Sequence, residues 1–254
     1  LILDALIAPY QRAERDLLVE HLAALETGCL LLLDMGYPAF WLFAALQTRR
    51  IAWCARVALD TWSVVRDFLA AGQDDAVVTL QAHAEALADC RARGLPTTPI
   101  PVRLIRVLLP TGEVEVLMTS LLDAVDFSAG EFAELYHLRW AQEENYKRFK
   151  CRVEVENWSG KSALSIFQDF HAKVLALNLV LASTAQEIVD DRRCGVRRSD
   201  RTGRRFRQLL IFEKCDGLRH AVFGDGEILG GQPFHRIAAL VLHADDLHHE
   251  LCAR

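Results

Sequence analysis

In the stretch ELYHLRWAQEENYKRFK, Tyr136, Arg139, Glu143 and Lys150 follow one another at spacings of three, four and seven. At ~100° per residue a helix projects these four within about 60° of one another. A carboxylate flanked by two cations and a phenol is a wall that can hold a hard cation beside an anionic phosphate backbone. The plainer alternative is a ladder of exposed ion pairs, each contributing only ~0.3–0.5 kcal/mol. Glu144 projects about 80° from Tyr136 and falls off the stripe, so the spacing selects Glu143. A second candidate is Asp34 in LLLLDMGYP. An acid at the C-terminal end of a buried parallel strand stands where α/β folds place ligands. The competing reading is a turn Asp capping the helix that starts near Pro38.

The elements that position these residues are legible in the hydrophobic pattern. LILDALIAP (1–9) reads as a strand, QRAERDLLVEHLAALE (11–26) as an amphipathic helix stopped by Gly28, and CLLLLD (29–34) as a central buried strand. PAFWLFAALQTRR (38–50) reads as a helix with Pro38 in its first turn, and IAWCARVAL (51–59) as another buried strand. Alternating strands and helices predict an α/β layer with parallel pairing. Then AVVTLQAH (76–83) and VRLIRVLLPTGEVEVLMTSL (102–121) read as β, the second a hairpin turning at Pro110–Thr111–Gly112, with LADCRARGLPTTPIP between them as loop. Ser128 followed by Glu131 is a capping box that opens the helix carrying the stripe. A long helix is expected over 163–191, and the last 40 residues are poorly patterned.

The bulk numbers narrow the function classes. At 254 residues, 52% apolar and 25% charged, the chain can bury a substantial core. A net charge of −5 gives no global signal for nucleic acid, but RRCGVRRSDRTGRRFR (192–207) carries eight Arg against one Asp. That segment reads either as a phosphate-contacting stretch or as a flexible connection. Seven scattered cysteines without a C-x-x-C pair suggest neither a zinc knuckle nor a disulfide framework, which fits thiols in a reducing cytoplasm. No signal-peptide pattern is visible, and the longest apolar runs are too short to span a membrane. Gly-x-Ser-x-Gly and phosphate-loop patterns are absent, and the spacing in HADDLHHE (243–250) fits a polar surface better than a metal site.

Tyr-(2)-Arg-(3)-Glu-(6)-Lys at 136, 139, 143 and 150 resembles the signature of bacterial DDE transposases of the insertion-sequence-4 type. LLDMGYP resembles that family's Asp-Arg-Gly-Tyr segment, with Met35 in place of Arg; EVLMTSLLD and ENWSGKS resemble segments flanking the Glu helix. The resemblance covers roughly residues 1–185. It implies a ribonuclease H-like mixed α/β sheet flanked by helices, with a β-rich insertion before the Glu helix. The corresponding segments are a partial core at 1–59, the insertion at 60–127, the Glu helix and its successor at 128–191, and a basic and C-terminal region at 192–254. It also implies DNA strand cleavage and transfer at transposon ends, with two Mg²⁺ or Mn²⁺ ions. Asp34 and Glu143 become metal-binding catalytic acids, and Tyr136, Arg139 and Lys150 become contacts to DNA. The implied partners are transposon-end and target DNA and a second copy of the chain in the DNA complex, with neither membrane nor small-molecule substrate. The family's first Asp has no match here. Asp4 in LILDALI is the sole upstream strand acid and suits neither position nor context. With a Leu start, the expectation is a chain lacking its first strands, or an inactive remnant that retains only DNA or subunit binding.

Overall fold

Five consecutive buried residues, Cys29–Leu33, form the strand on which the candidate site is built. Such a run cannot face water on either side, and each buried Leu contributes about 1.5–3 kcal/mol relative to exposure. The computed structural model describes residues 2–9, 12–25, 28–137, 139, 158–160, 162–191, 208–214 and 234–242. Glu143, Lys150, the Arg-rich segment 192–207 and the cluster 243–250 lie outside the described residues.

The strands are β1 (Ile2–Pro9), β2 (Cys29–Leu33), β3 (Ala52–Val57), β4 (Asp75–Leu80), β5 (Ile100–Leu108), β6 (Val114–Thr119), β7 (Gln208–Lys214) and β8 (Phe234–Leu242). The helices are α1 (Glu14–His21), α2 (Phe40–Thr48), α3 (Ser63–Ala70), α4 (Ala84–Ala92), α5, whose described part is 129–137 with Arg139 also helical, and α6 (Ala163–Asp191). The chain divides into two compact units, one of Leu1–Ala24, Trp140–Ser199 and Ile211–Arg254, the other of Leu25–Arg139 and Asp200–Leu210.

In the unit that contains Asp34, five strands form a mixed sheet in the order β2-β3-β6-β5-β4, flanked by helices. β2 and β3 pair in parallel, Leu30 opposite Ala52 through Leu33 opposite Ala55, as their apolar runs and the intervening helix predict. β3 then pairs antiparallel with β6, and β6 with β5, so the segment expected as an insertion extends the same sheet. The β5–β6 hairpin turns at the predicted place, closed by Gly112 N–H to the Leu109 carbonyl at 2.9 Å and with Gly112 at φ +85°. α2 buries every residue from Phe40 to Leu46, and Phe43 stacks on Trp53 of β3 with ring centroids 3.9 Å apart.

Two elements differ from the sequence reading. Residues 84–92, six of the nine expected as loop, form α4, and α3 fills the stretch after β3. α4 is Ala-rich with only Ala86 and Cys90 buried, so it lacks the apolar stripe that announces a helix. His83 caps it, its Nδ1 accepting from the Ala86 N–H at 3.2 Å.

In the other unit, β1 pairs antiparallel with β8, a strand the poorly patterned C-terminal sequence did not reveal. α6 docks on β1 through Asn178, whose side-chain amide accepts from the Ile2 N–H and donates to the Ile2 carbonyl, both at 2.8 Å. Nearer the start of α6, Asp169 accepts from the Ser159 N–H at 2.5 Å and from its hydroxyl at 3.0 Å. These bonds hold the Asp169 carboxyl below the usual range. No helix among the described residues is long and apolar enough to cross a membrane.

Candidate active site

Asp34 follows directly on the last residue of β2. The chain turns there, with the Tyr37 N–H donating to the Asp34 carbonyl at 3.1 Å, and α2 begins at Phe40. The Asp34 carboxylate does not cap that helix. Its N-cap is Ala39, with no side-chain hydrogen bond. The carboxylate turns instead toward two guanidinium groups. Arg56 Nη2 donates to Asp34 Oδ1 at 3.1 Å, and Arg139 Nη2 lies 3.8 Å from the same oxygen.

Register explains the first contact. Leu33 stands beside Ala55 in the parallel pair, so the next residue along, Asp34, meets Arg56. Arg56 faces Leu117 across the antiparallel pair, and Glu115, two residues away on the same face of β6, meets it diagonally. Arg56 Nη1 donates to Glu115 Oε1 at 2.7 Å, so one guanidinium bridges two acids from two strands. Burial works against the Arg56 charge, but the Glu115 hydrogen bond and the surrounding negative groups outweigh it and raise its pKa above the ordinary value.

α5 supplies the second wall, and its start is fixed from the sheet. The Glu131 carboxylate accepts from the Ser128 N–H at 3.2 Å, the reach-back arm of the predicted capping box. Arg103 of β5, 1% exposed, grips Asp75 of β4 with two bonds of 2.7 and 2.5 Å and donates to the Phe127 carbonyl at 2.6 Å. Its guanidinium also lies 5.5 Å from the ring centre of Phe132. One buried cation thus ties two strands to the turn that launches α5.

Tyr136 and Arg139 sit on the face of α5 turned to the sheet, only 3% and 2% exposed. The Tyr136 hydroxyl donates to the Leu33 carbonyl at 3.2 Å, and the Arg139 guanidinium stands 5.4 Å from the Tyr136 ring centre. Burial, first of all, pushes the Tyr136 phenol well above its ordinary range; Arg139 pulls the other way. Both side chains are thus directed at the strand end that carries Asp34. Helical spacing defines a stripe but not the side it faces, and here the described half of the stripe faces Asp34. Glu143 and Lys150, the other half, lie outside the described residues.

Arg56 and Glu115 are site residues that the sequence reading did not single out. A signal was present: a lone Arg in the buried strand AWCARV, one register step from a strand-end acid.

A family model described as a transposase DDE domain matches residues 1–179, and the chain belongs to that family. No curated protein and no solved structure gives a significant match. The family's chemistry uses divalent metal ions. Asp34 suits such an ion as a partly exposed hard oxygen donor, with Oδ2 free of hydrogen bonds among the described residues. Yet no group of three His, Cys, Asp or Glu side chains able to hold a metal occurs among the described residues. They do not by themselves form a complete metal site.

Proposed function

We propose that this chain carries the catalytic machinery for cutting DNA at the ends of an insertion sequence and joining it to target DNA. The observation that carries this reading is the convergence on Asp34. In a DDE-family chain, α5, with Tyr136 and Arg139 of the stripe, docks on the carbonyl of Leu33, next to the strand-end acid. The insertion-sequence-4 type follows from that stripe and from LLDMGYP. Asp34 and Glu143 are the proposed ligands of Mg²⁺ or Mn²⁺, which would stabilise charge on the oxygens of an in-line phosphoryl transfer. Tyr136, Arg139 and Lys150 are the proposed contacts to DNA, the first two from positions beside Leu33 and Asp34. The partners are transposon-end and target DNA, with a second copy of the chain in the complex. Residues 60–127 are read as the family's insertion, here continuous with the sheet.

The test is strand cleavage of duplex DNA carrying the terminal repeat that flanks the coding sequence, with Asp34→Asn and Glu143→Ala as controls. Cleavage that survives both substitutions overturns the assignment. A second reading, binding without cutting, draws on Asp4. This sole acid of β1 is committed to buried His21, whose Nδ1 lies 2.8 Å from Asp4 Oδ2. Unchanged DNA binding with no cleavage in any metal would favour it.

A further inference from the structure

We propose that Arg56, braced by Glu115, is a positioning residue that fixes the Asp34 carboxylate in one orientation; this rests on the reading of Asp34 as the reactive-site acid. Arg56 spends both Nη groups on carboxylates, at 3.1 Å to Asp34 and 2.7 Å to Glu115. The side chains of Arg56, Glu115 and Asp34 are 23%, 14% and 31% exposed, so the Glu115 end of the bridge is the more sheltered from water and from screening. An Asp side chain at a strand end has two free torsions, and a single charged hydrogen bond to a long Arg would let both partners move. The second anchor removes that freedom. Glu115 sits on a paired strand, so the guanidinium is held by the sheet from one side while it holds Asp34 on the other.

The consequence concerns the two carboxylate oxygens of Asp34. Oδ1 takes Arg56 at 3.1 Å and faces Arg139 at 3.8 Å. Oδ2 accepts no hydrogen bond among the described residues and is the atom left for a cation or a DNA-bound water. Arg139 alone does not do this work, because 3.8 Å is beyond hydrogen-bond distance. Arg56 is therefore committed to the acid and not to the phosphate backbone, although it is a cation in a DNA-acting site. Glu115, an acid from the β-hairpin, supports the site without binding the reacting groups.

Asp34 side-chain scalar couplings in the full chain, read by NMR, test this without any need for turnover. The native chain shows one χ1 rotamer for Asp34; Arg56→Ala shows averaging among rotamers, Arg56→Lys partial restoration, and Glu115→Gln an intermediate state. If Arg56→Ala does not fold, Glu115→Gln, which keeps volume and shape, carries the test. Affinity for the terminal-repeat duplex stays within about threefold in Arg56→Lys, since no phosphate contact is lost. Where the native chain cleaves, the rate falls by about 10- to 100-fold in Arg56→Ala, the scale of a misplaced reacting group. A single unchanged Asp34 rotamer in Arg56→Ala or Glu115→Gln overturns the proposal, as does a tenfold or greater loss of DNA affinity in Arg56→Lys. Cleavage that persists in Asp34→Asn sinks the functional reading instead and leaves the rotamer result standing, so the two failures are distinct.

Discussion

The hydroxyl of Tyr136 donates to the main-chain carbonyl of Leu33 at 3.2 Å, across 103 residues of sequence. That carbonyl belongs to the last residue of β2, and the next residue is Asp34. One buried hydrogen bond therefore sets the distance between α5 and the strand that leads into Asp34. Arg139, one turn further along α5, reaches the acid itself.

Tyr136→Phe keeps the ring and removes the bond. A net hydrogen bond contributes about 1 kcal/mol, and the stranded Leu33 carbonyl adds to the cost. The urea midpoint should fall by the equivalent of about 1–2 kcal/mol with an unchanged slope. An unchanged midpoint would mean that the hydroxyl does not fasten the helix to the strand.

The same phenol makes stability depend on alkaline pH. Burial raises its pKa in the folded chain, while in the unfolded chain it titrates near the ordinary value of 10.0. The folded state thus holds this proton more tightly. Its stabilising effect is complete below pH 10.0 and is lost as pH rises toward the folded-state pKa. Stability should decline above that point with a slope of up to about 1.4 kcal/mol per pH unit from this group. Tyr136→Phe should lose that component, which denaturant titrations at several alkaline pH values read directly.

Arg103 and Arg106 lie three residues apart on β5 and make opposite predictions. Arg103→Ala removes the buried donor shared by the partly exposed Asp75 carboxylate and the Phe127 carbonyl, which costs about 1.5–3 kcal/mol. It should also loosen the start of α5, read as faster amide exchange at residues 129–132. Arg106 pairs with Asp74 at 3.6 Å on the surface, and Arg106→Ala should change stability by less than about 0.5 kcal/mol. Equal effects of the two would contradict the clamp assigned to Arg103.

Much of this was readable from residue order, for definable reasons. CLLLL and AWCARV announce buried parallel strands because neither face meets water, and Pro110–Thr111–Gly112 announces its turn through the φ that Gly112 adopts. Ser128 and Glu131 cap over three residues, a range that sequence spacing encodes. The site is less legible where it depends on pairing. Arg56 meets Asp34 and Glu115 only through strand register, at separations of 22 and 59 residues. The inward turn of Tyr136 and Arg139 depends on which face of α5 docks, and the helical period is the same for either face.

The family match and the stripe together make the sharpest demand on two adjacent acids, Glu143 and Glu144. The most direct measurement is cleavage of terminal-repeat duplex DNA by the full-length protein in Mg²⁺ or Mn²⁺, comparing native, Asp34→Asn, Glu143→Ala and Glu144→Ala chains. Removal of a group needed for the chemical step should lower the rate by about 1,000-fold or more in Asp34→Asn and Glu143→Ala, while Glu144→Ala stays within about threefold. Cleavage that is indifferent to Glu143→Ala, or that fails only in Glu144→Ala, would contradict the account.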